Sequence, residues 1–286
     1  LALAKPQIPG RYIGARSSIG RRVSSCIVPR LSVLRWIYRE RSPVLRTMQI
    51  FPTADSPPDL QGATLIVAAV AQGNVGELCV DLMIANMGAT LVGVLEDENV
   101  LAVAGNDAHD MSHPGTLSTA LELYELQAAD HGDNATIGSA PAIVGRVFVM
   151  QQRAPAMLGR QSEFAEGVVE WAQSQGIGQL LVLSGLDATL RRDRQIDGPL
   201  LRYLSSGSAE LAAALEAQRV LQLEEEYLAE ERAAHGALPP WPLLAAAARR
   251  GCPAALLGCF AAEGDNVPHA LQVAGCVLAL LGSGSA

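Results

Sequence analysis

The chain has 286 residues, of which 49% are hydrophobic, so it is long enough to bury a substantial core without disulfides or metals as staples. Residues 1–47 hold ten basic residues against Glu40, a net charge of +9, whereas the remainder holds 11 basic and 28 acidic residues, a net of −17. The acidic remainder argues against nucleic-acid binding, and no apolar run reaches the ~20 residues of a membrane span.

The first 47 residues differ in composition from everything that follows. They are rich in Arg and Ser and nearly free of acid, which is typical of a mitochondrial or plastid transit peptide. The chain begins with Leu1, and its first methionine, Met48, lies where the charge balance reverses, as translation upstream of a true start would produce. We expect a disordered or artefactual leader at 1–47, with a transit peptide as the alternative, then a domain at 48–281 and a flexible tail at 282–286.

Apolar runs and amphipathic stretches alternate between residues 63 and 185. The helix over 75–88 carries one apolar face, and the helix over 160–175 ends at Gly176, which we expect to act as its C-cap glycine. The alternating segment 119–126 predicts a strand near an edge or with a solvated face. The predicted strands are 63–71, 89–95, 100–105, 119–126, 142–152 and 179–185. Strands that alternate with helices predict a single α/β domain with a mixed, largely parallel sheet flanked by helices.

The last third of the chain is predicted to be helical. After a polar loop at 191–199, residues 209–232 are rich in Ala, Leu and Glu and favour one helix about 36 Å long. Its seven glutamates indicate a solvated face. The Pro-Pro-Trp-Pro stretch at 239–242 ends this helix, and shorter helices are predicted at 243–250, 253–262 and 267–281. The fold therefore gains a helical C-terminal part.

Gly73-Asn74-Val75-Gly76 lies between the first predicted strand and its helix, where many nucleotide-binding folds cradle phosphate. Two glycines stand here, whereas the dinucleotide fingerprint has three, and no Lys followed by Ser or Thr completes a P-loop. A tight strand–helix turn is favoured, with glycine supplying the backbone conformation. A nucleotide- or nucleoside-using enzyme stays open as the alternative.

The remaining candidates for chemistry are weak. Ser184 follows a strand but does not sit in Gly-x-Ser-x-Gly, and no His is predicted to act as a base held by an acid. His109, Asp110 and His113 share a loop without further ligands. The five cysteines show no metal or disulfide spacing, which favours a reducing compartment. We expect no catalytic residues, no metal and no cofactor.

Several segments together resemble the proteasome assembly chaperone 2 family. The opening, with its Gly-Asn-Val-Gly turn, and the Glu-Gly-Asp-Asn motif followed by an aliphatic residue and Pro are the specific parts of the match. The segments are MQIFPTADSPPDLQGATLIVAAVAQGNVGELCVDLMI (48–84), AVAGND (102–107), LELYEL (121–126), LVLSGLDATLRRDRQIDGPLLRYLSS (181–206) and AAEGDNVPHAL (261–271). The resemblance covers residues 48–281.

This resemblance implies a non-catalytic chaperone. Members of the family pair with proteasome assembly chaperone 1 as a heterodimer and bind α-type subunits, promoting assembly of the 20S proteasome α ring. It implies a location in the cytoplasm, with the nucleus as a further location, and no nucleic-acid or membrane partner.

The family-motif residues are also the candidates for an interface. Asp265 and Asn266 precede Val-Pro and are suited to capping a helix that starts near Val267. A second interpretation brings this loop beside the glycine turn, where both shape one end of the sheet and a partner surface. The candidate residues are Gly73, Asn74, Gly76, Gly264, Asp265, Asn266 and Pro268.

Overall fold

The computed structural model describes residues 48–107, 117–127 and 145–282. The strands in these ranges are β1 (Gln49–Pro52), β2 (Thr64–Ala68), β3 (Thr90–Glu96), β4 (Ala104–Asn106), β5 (Leu117–Thr119), β6 (Leu121–Leu126), β7 (Val147–Gln152), β8 (Gln179–Asp187), β9 (Leu201–Ser206), β10 (Leu221–Gln222) and β11 (Ala254–Ala261). The helices are α1 (Val75–Asn86), α2 (Gln161–Ser174), α3 (Asp193–Ile196), α4 (Ala209–Ala217), α5 (Glu225–His235), α6 (Trp241–Arg250) and α7 (Val267–Leu280).

Nine of these strands form one sheet in the order β1-β3-β6-β7-β2-β8-β11-β9-β10. The four central strands, β7, β2, β8 and β11, run parallel, and the register places Ile66 of β2 opposite Val149 of β7 and Leu181 of β8. β6, β3 and β1 extend the sheet antiparallel on one side, and β9 pairs antiparallel with β11 on the other. The predicted mixed, largely parallel sheet is confirmed.

Helices cover both faces of the sheet. Every residue of β2 is buried, and its side chains alternate between two cores, with Leu65 and Val67 in the first and Ile66 in the second. The first core lies under α2, α5 and α6, and the second under α1, α4 and α7. Burial on both faces explains why the central strands are continuous apolar runs in the sequence.

The helix predicted over 253–262 is wrong, because this segment is the central strand β11. All eight of its residues are buried, and it pairs with β8 on one side and β9 on the other. The strand β9, over Leu201–Ser206, was not predicted either. Ala and Leu favour a helix locally, but strand pairing on two sides and burial on two faces outweigh that propensity.

Two further predictions are corrected. The single helix expected over 209–232 is two helices, α4 and α5, separated by a turn in which Arg219 has φ 63° and by the short strand β10. The strand at 121–126 is not at an edge, since β6 lies between β3 and β7. Its polar residue Glu122 is 1% exposed and accepts hydrogen bonds from the Thr119 N–H at 2.7 Å and the Tyr124 hydroxyl at 2.8 Å.

The sequence predictions for the leader at 1–47, for the His109, Asp110 and His113 loop and for residues 283–286 of the tail lie outside the described residues. None of the helices in the described ranges is both long and apolar enough to cross a membrane.

Candidate functional site

The glycine turn lies at the carboxyl end of the parallel strands, between β2 and α1. A short 3-10 turn, Gln72–Asn74, leads directly into the helix at Val75. Gly73 has φ 64° and Asn74 has φ 53°, so two successive residues adopt the left-handed conformation. Glycine adopts it without strain and asparagine tolerates it better than most residues, which is why this pair can turn the chain so sharply.

Asn266 fills the space behind this turn. Its side chain is buried, 3% exposed, and its amide donates to the Gly73 carbonyl at 3.1 Å and to the Ala262 carbonyl at 2.8 Å. At the rim, the Gln72 side-chain amide donates to the Glu263 carboxylate at 3.2 Å. The loop that follows β11 is therefore bonded to the turn that follows β2.

Gly76 and Gly185, also at this end, permit close packing of main chain. A Cβ on Gly76 would overlap the Leu183 carbonyl of β8, and a Cβ on Gly185 would overlap the Gln72 carbonyl. A Cβ on Gly73 would overlap the Asn266 amide. These glycines bring α1 and its turn against β8 instead of opening a cradle, and protein atoms occupy the space behind Gly73.

The expected helix cap is present at Asp265, whose carboxylate accepts the Val267 N–H at 3.1 Å. The capping role expected for Asn266 is wrong, because its side chain makes no cap hydrogen bond and donates its amide to carbonyls. Pro268 lies in the first turn of α7, where its missing N–H costs no helical hydrogen bond. Gly264 has φ 138° and open space around it.

The structure brings the candidate residues together at one end of the sheet. Gly73 and Asn266 are in contact and Gly76 is buried beneath them, whereas Asn74, Gly264, Asp265 and Pro268 are exposed around them. Two apolar side chains of α7 are exposed on the same helix end, Val267 at 45% and Leu271 at 54%. We call this surface, formed by Asn74, Gly264, Asp265, Val267, Pro268 and Leu271, the motif surface.

An acidic cluster that the sequence analysis missed lies on α1. Glu77 and Asp81 are one helical turn apart, and Asp81 accepts hydrogen bonds from Gln151 at 2.8 Å and Arg153 at 3.3 Å. Burial, reinforced by the nearby Asp81 carboxylate and opposed by Arg153, raises the pKa of Glu77 from its ordinary value of 4.5 to about 7. The four-residue spacing of Glu77 and Asp81 is the signal that could have shown them on one helix face.

A second arrangement that the sequence did not reveal lies at the end of β8. His235 Nε2 is 3.1 Å from Asp187 Oδ2, so a histidine is held by an acid, contrary to the expectation from sequence. Burial favours a raised pKa for Asp187, but hydrogen bonds from Thr189 and His235 hold it below its usual range. Ser184 is fully buried and donates to the Gly185 carbonyl at 2.8 Å. The candidate nucleophile thus lies in the core, bonded to main chain.

Tyr227, Arg202 and Phe260 form the packed centre of this region. The Tyr227 hydroxyl donates to the Asp187 carbonyl at 2.9 Å and contacts the Glu231 carboxylate at 2.7 Å. The Arg202 guanidinium lies 5.0 Å from the Phe260 ring centre and donates to Glu224 at 3.1 Å. These contacts tie α5 to the sheet, so several of the glutamates expected to be solvated have partners within the chain.

Metal and thiol chemistry find little support in the described ranges. No group of three or more His, Cys, Asp or Glu side chains in them is arranged to hold a metal ion. The cysteines described there, Cys79, Cys252, Cys259 and Cys276, are all buried and unpaired. Burial raises the pKa of the Cys259 and Cys276 thiols to about 12, which disfavours the reactive thiolate.

Comparison with protein families and relatives gives consistent matches. The family model described as PAC2 family matches residues 65–279. Proteasome assembly chaperone 2 of Danio rerio is 30% identical over 239 residues, which cover 79% of this chain and 85% of that protein. Proteasome assembly chaperone 2 of Nematostella vectensis is 29% identical over 238 residues, covering 78% of this chain and 91% of that protein.

Solved structures share the fold at low sequence identity. Pyrococcus furiosus PbaA, described as an archaeal homolog of proteasome-assembly chaperone, aligns with a TM-score of 0.56 at 16% identity, over 84% of this chain and 88% of that chain. Pyrococcus furiosus PbaB, described as an archaeal proteasome activator, aligns with a TM-score of 0.57 at 16% identity, over 84% and 91%. At this identity the likeness concerns the fold.

Proposed function

The chain belongs to the PAC2 family, and on that premise we propose that it is a non-catalytic chaperone of 20S proteasome assembly. It pairs with proteasome assembly chaperone 1, and the pair binds α-type subunits while the α ring forms. The relatives named proteasome assembly chaperone 2 support the assembly role. Ring subunits expose interfaces before the ring closes, so a partner that covers one face suppresses wrong contacts.

The observation that carries this proposal over an enzyme is the occupied glycine turn. In open α/β sheets a ligand usually binds in a crevice beyond the carboxyl ends of the strands. Here the Asn266 amide lies in that position and donates to two main-chain carbonyls. A phosphate would have to displace a buried, hydrogen-bonded side chain, which costs the free energy of those bonds.

The motif surface is the partner surface in this proposal. Val267 and Leu271 place two exposed apolar side chains beside the polar main chain of the turn, a combination that suits a protein contact better than a small ligand. Since both residues are on α7, a rigid helix presents them to the partner.

The complex works in the cytoplasm and the nucleus in this proposal. Immunofluorescence of the tagged chain tests this location.

Co-expression with proteasome assembly chaperone 1 tests the pairing. We expect a one-to-one complex on size-exclusion chromatography and a higher yield of α rings on native gels when α-type subunits are added. Leu271→Glu should abolish either the complex with chaperone 1 or the binding of α-type subunits. Leu158→Glu, which changes a leucine that is 95% exposed elsewhere, is the matched control and should leave both intact.

One result would contradict the assembly role, and another would contradict only the position of the interface. Failure of the unmodified chain to bind chaperone 1 or any α-type subunit would remove the assembly role. Full binding by Leu271→Glu at unchanged stability would keep the role and move the interface away from the motif surface.

A further inference from the structure

A groove of about 650 Å³ lies far from the motif surface, on the side of the sheet that carries the first core. Its walls come from four elements: the start of α2, the end of β9, the exposed side of α5 and one side of α6 along most of its length. The lining residues used below are Leu204, Ser205, Leu228, Arg232, Trp241 and Leu244.

One wall of the groove is an unpaired strand edge. β10 pairs with β9 only at Arg202 and Tyr203, and the Leu223 N–H donates to the Tyr203 carbonyl at 2.8 Å. The main-chain groups of Tyr203 therefore point away from β11. Because strand residues alternate, those of Ser205 point the same way. On that side of β9 no strand in the described ranges pairs with Ser205, which pairs only with Ala255 of β11, so its outward N–H and C=O are open to a further strand.

The floor of the groove is apolar and contains one unused donor. Leu228, Trp241 and Leu244 belong to the first core or pack against it. Trp241 is 4% exposed, and its indole N–H has no hydrogen-bond partner in the described part of the chain. An unpaired buried donor is costly, so a ligand carbonyl that reached it would be favoured.

The rim is cationic. The Arg232 guanidinium lies 5.4 Å from the centre of the Trp241 ring and has no ion-pair partner among the described residues. Arg249, which also lines the groove, already pairs with Glu166. Arg232 therefore offers an uncompensated positive charge at an apolar groove, on a chain whose net charge beyond residue 47 is −17.

We propose that the groove binds an extended acidic segment of a partner protein, which adds as a strand to the free edge of β9. The segment's main chain bonds to Ser205, its apolar side chains alternate onto Leu228, Trp241 and Leu244, and a carboxylate pairs with Arg232. This peptide site is distinct from the motif surface and does not depend on the proposed assembly role.

Fluorescence anisotropy on the full chain, alone or in complex with chaperone 1, tests the proposal. The probe is a short labelled peptide in which glutamate alternates with aliphatic residues. Two controls share its sequence pattern: one carries lysine in place of glutamate, and the other carries N-methyl groups that block strand pairing. We expect only the unmodified acidic peptide to bind.

Paired variants locate the site. Arg232→Glu should weaken binding about tenfold or more, since it replaces an attractive charge with a repulsive one. Arg250→Glu is the control, because Arg250 is at the end of α6, pairs with Glu166 and Glu170 and does not line the groove; this variant should bind as the unmodified chain does. Ser205→Pro removes the open N–H and should abolish binding, whereas Ser205→Ala keeps it and should bind.

Several results would overturn the assignment. They are equal binding of the acidic and lysine peptides, binding of the N-methylated peptide, and binding that Arg232→Glu leaves unchanged. If Ser205→Pro fails to fold, as judged by circular dichroism, the N-methylated peptide still decides whether strand pairing matters. Self-association on sedimentation that Arg232→Glu abolishes would place a second copy in the groove and also overturn the proposal.

Discussion

The side-chain amide of Asn266 donates to the main-chain carbonyl of Gly73 at 3.1 Å, although 193 residues separate the two in sequence. The same amide group also reaches the Ala262 carbonyl, so one side chain ties the loop after β11 to the turn after β2. This bond joins the two most specific motifs of the sequence at one end of the sheet.

Replacement of Asn266 should destabilise the fold more than replacement of its neighbour. Asn266→Ala leaves two carbonyls without their donor and should lower the free energy of unfolding by about 2 kcal/mol. Asp265→Ala removes only a helix cap and should cost about 1 kcal/mol. Urea unfolding measures both. Equal losses in the free energy of unfolding would mean that the Asn266 hydrogen bonds between the two loops stabilise the fold no more than the Asp265 cap does.

The same pair separates structure from binding. Because Asp265 is part of the motif surface, Asp265→Ala should weaken binding to chaperone 1 or to α-type subunits at temperatures where it stays folded. Normal binding by the folded variant would instead limit this exposed carboxylate to its role as a helix cap.

The sequence predicted elements well where local pattern and environment agree. β2, α1 and α2 were placed correctly, because an apolar run and an amphipathic stretch point to the same answer as the tertiary structure. Gly176 has φ 74° just after α2, as expected of a glycine that ends a helix. The strand–helix turn at 73–76 was also predicted correctly, because its glycines indicate a turn from local sequence alone.

The failures have one physical cause, which is that long-range pairing is invisible in a local window. The Ala-Ala-Leu-Leu stretch of β11 has the composition of a helix and becomes a strand because β8 and β9 flank it. The break between α4 and α5 contains no Gly or Pro, and it exists because β10 pairs with β9. Asn266 likewise looked like a cap, since nothing nearby in sequence shows the distant carbonyl it meets.

Gly76 and Gly275 offer a matched test of close packing. Both are helical glycines, but a Cβ on Gly76 would overlap main chain of β8, whereas one on Gly275 in α7 meets open space. Gly76→Ala should lower the free energy of unfolding by about 1–3 kcal/mol. Gly275→Ala should raise it by about 0.5–1 kcal/mol, because alanine favours the helix. Thermal melts compare the two, and similar shifts would contradict the packing argument.

Glu77 should make the protein less stable at alkaline than at mildly acidic pH. Its pKa is raised from 4.5 to about 7 by burial and by Asp81, so the fold favours the protonated form. The contribution of Glu77 to the free energy of unfolding is therefore full below pH 4.5 and is lost as the pH rises through about 7. Glu77→Gln keeps a neutral side chain at every pH, and it should raise the melting temperature at pH 8 and change it little at pH 5.

An exposed glutamate supplies the control for this pH profile. Glu96 lies at the end of β3 with its side chain exposed, so Glu96→Gln removes a carboxylate without relieving burial. Its melting temperature should follow that of the unmodified chain across the same pH range. If Glu77→Gln also follows the unmodified chain, the carboxyl group of Glu77 does not control stability in this range.

The attachment of α5 to the sheet should depend on the ion pair between the buried Arg202 and Glu224. Arg202 is 2% exposed, donates to Glu224 and to the Pro199 and Leu201 carbonyls, and lies over the Phe260 ring. Glu224→Ala would leave this charge buried without its carboxylate, so we expect a loss of about 3 kcal/mol in the free energy of unfolding.

A surface ion pair supplies the control. Glu226 pairs with Arg194, and both side chains are more than half exposed. Since such pairs contribute little, Glu226→Ala should cost less than about 1 kcal/mol, and 1 M salt should remove that difference. The rate of hydrogen exchange of the α5 amides should rise in Glu224→Ala alone. Equal protection in both variants would show that packing, and not the Arg202–Glu224 pair, holds this helix on the sheet.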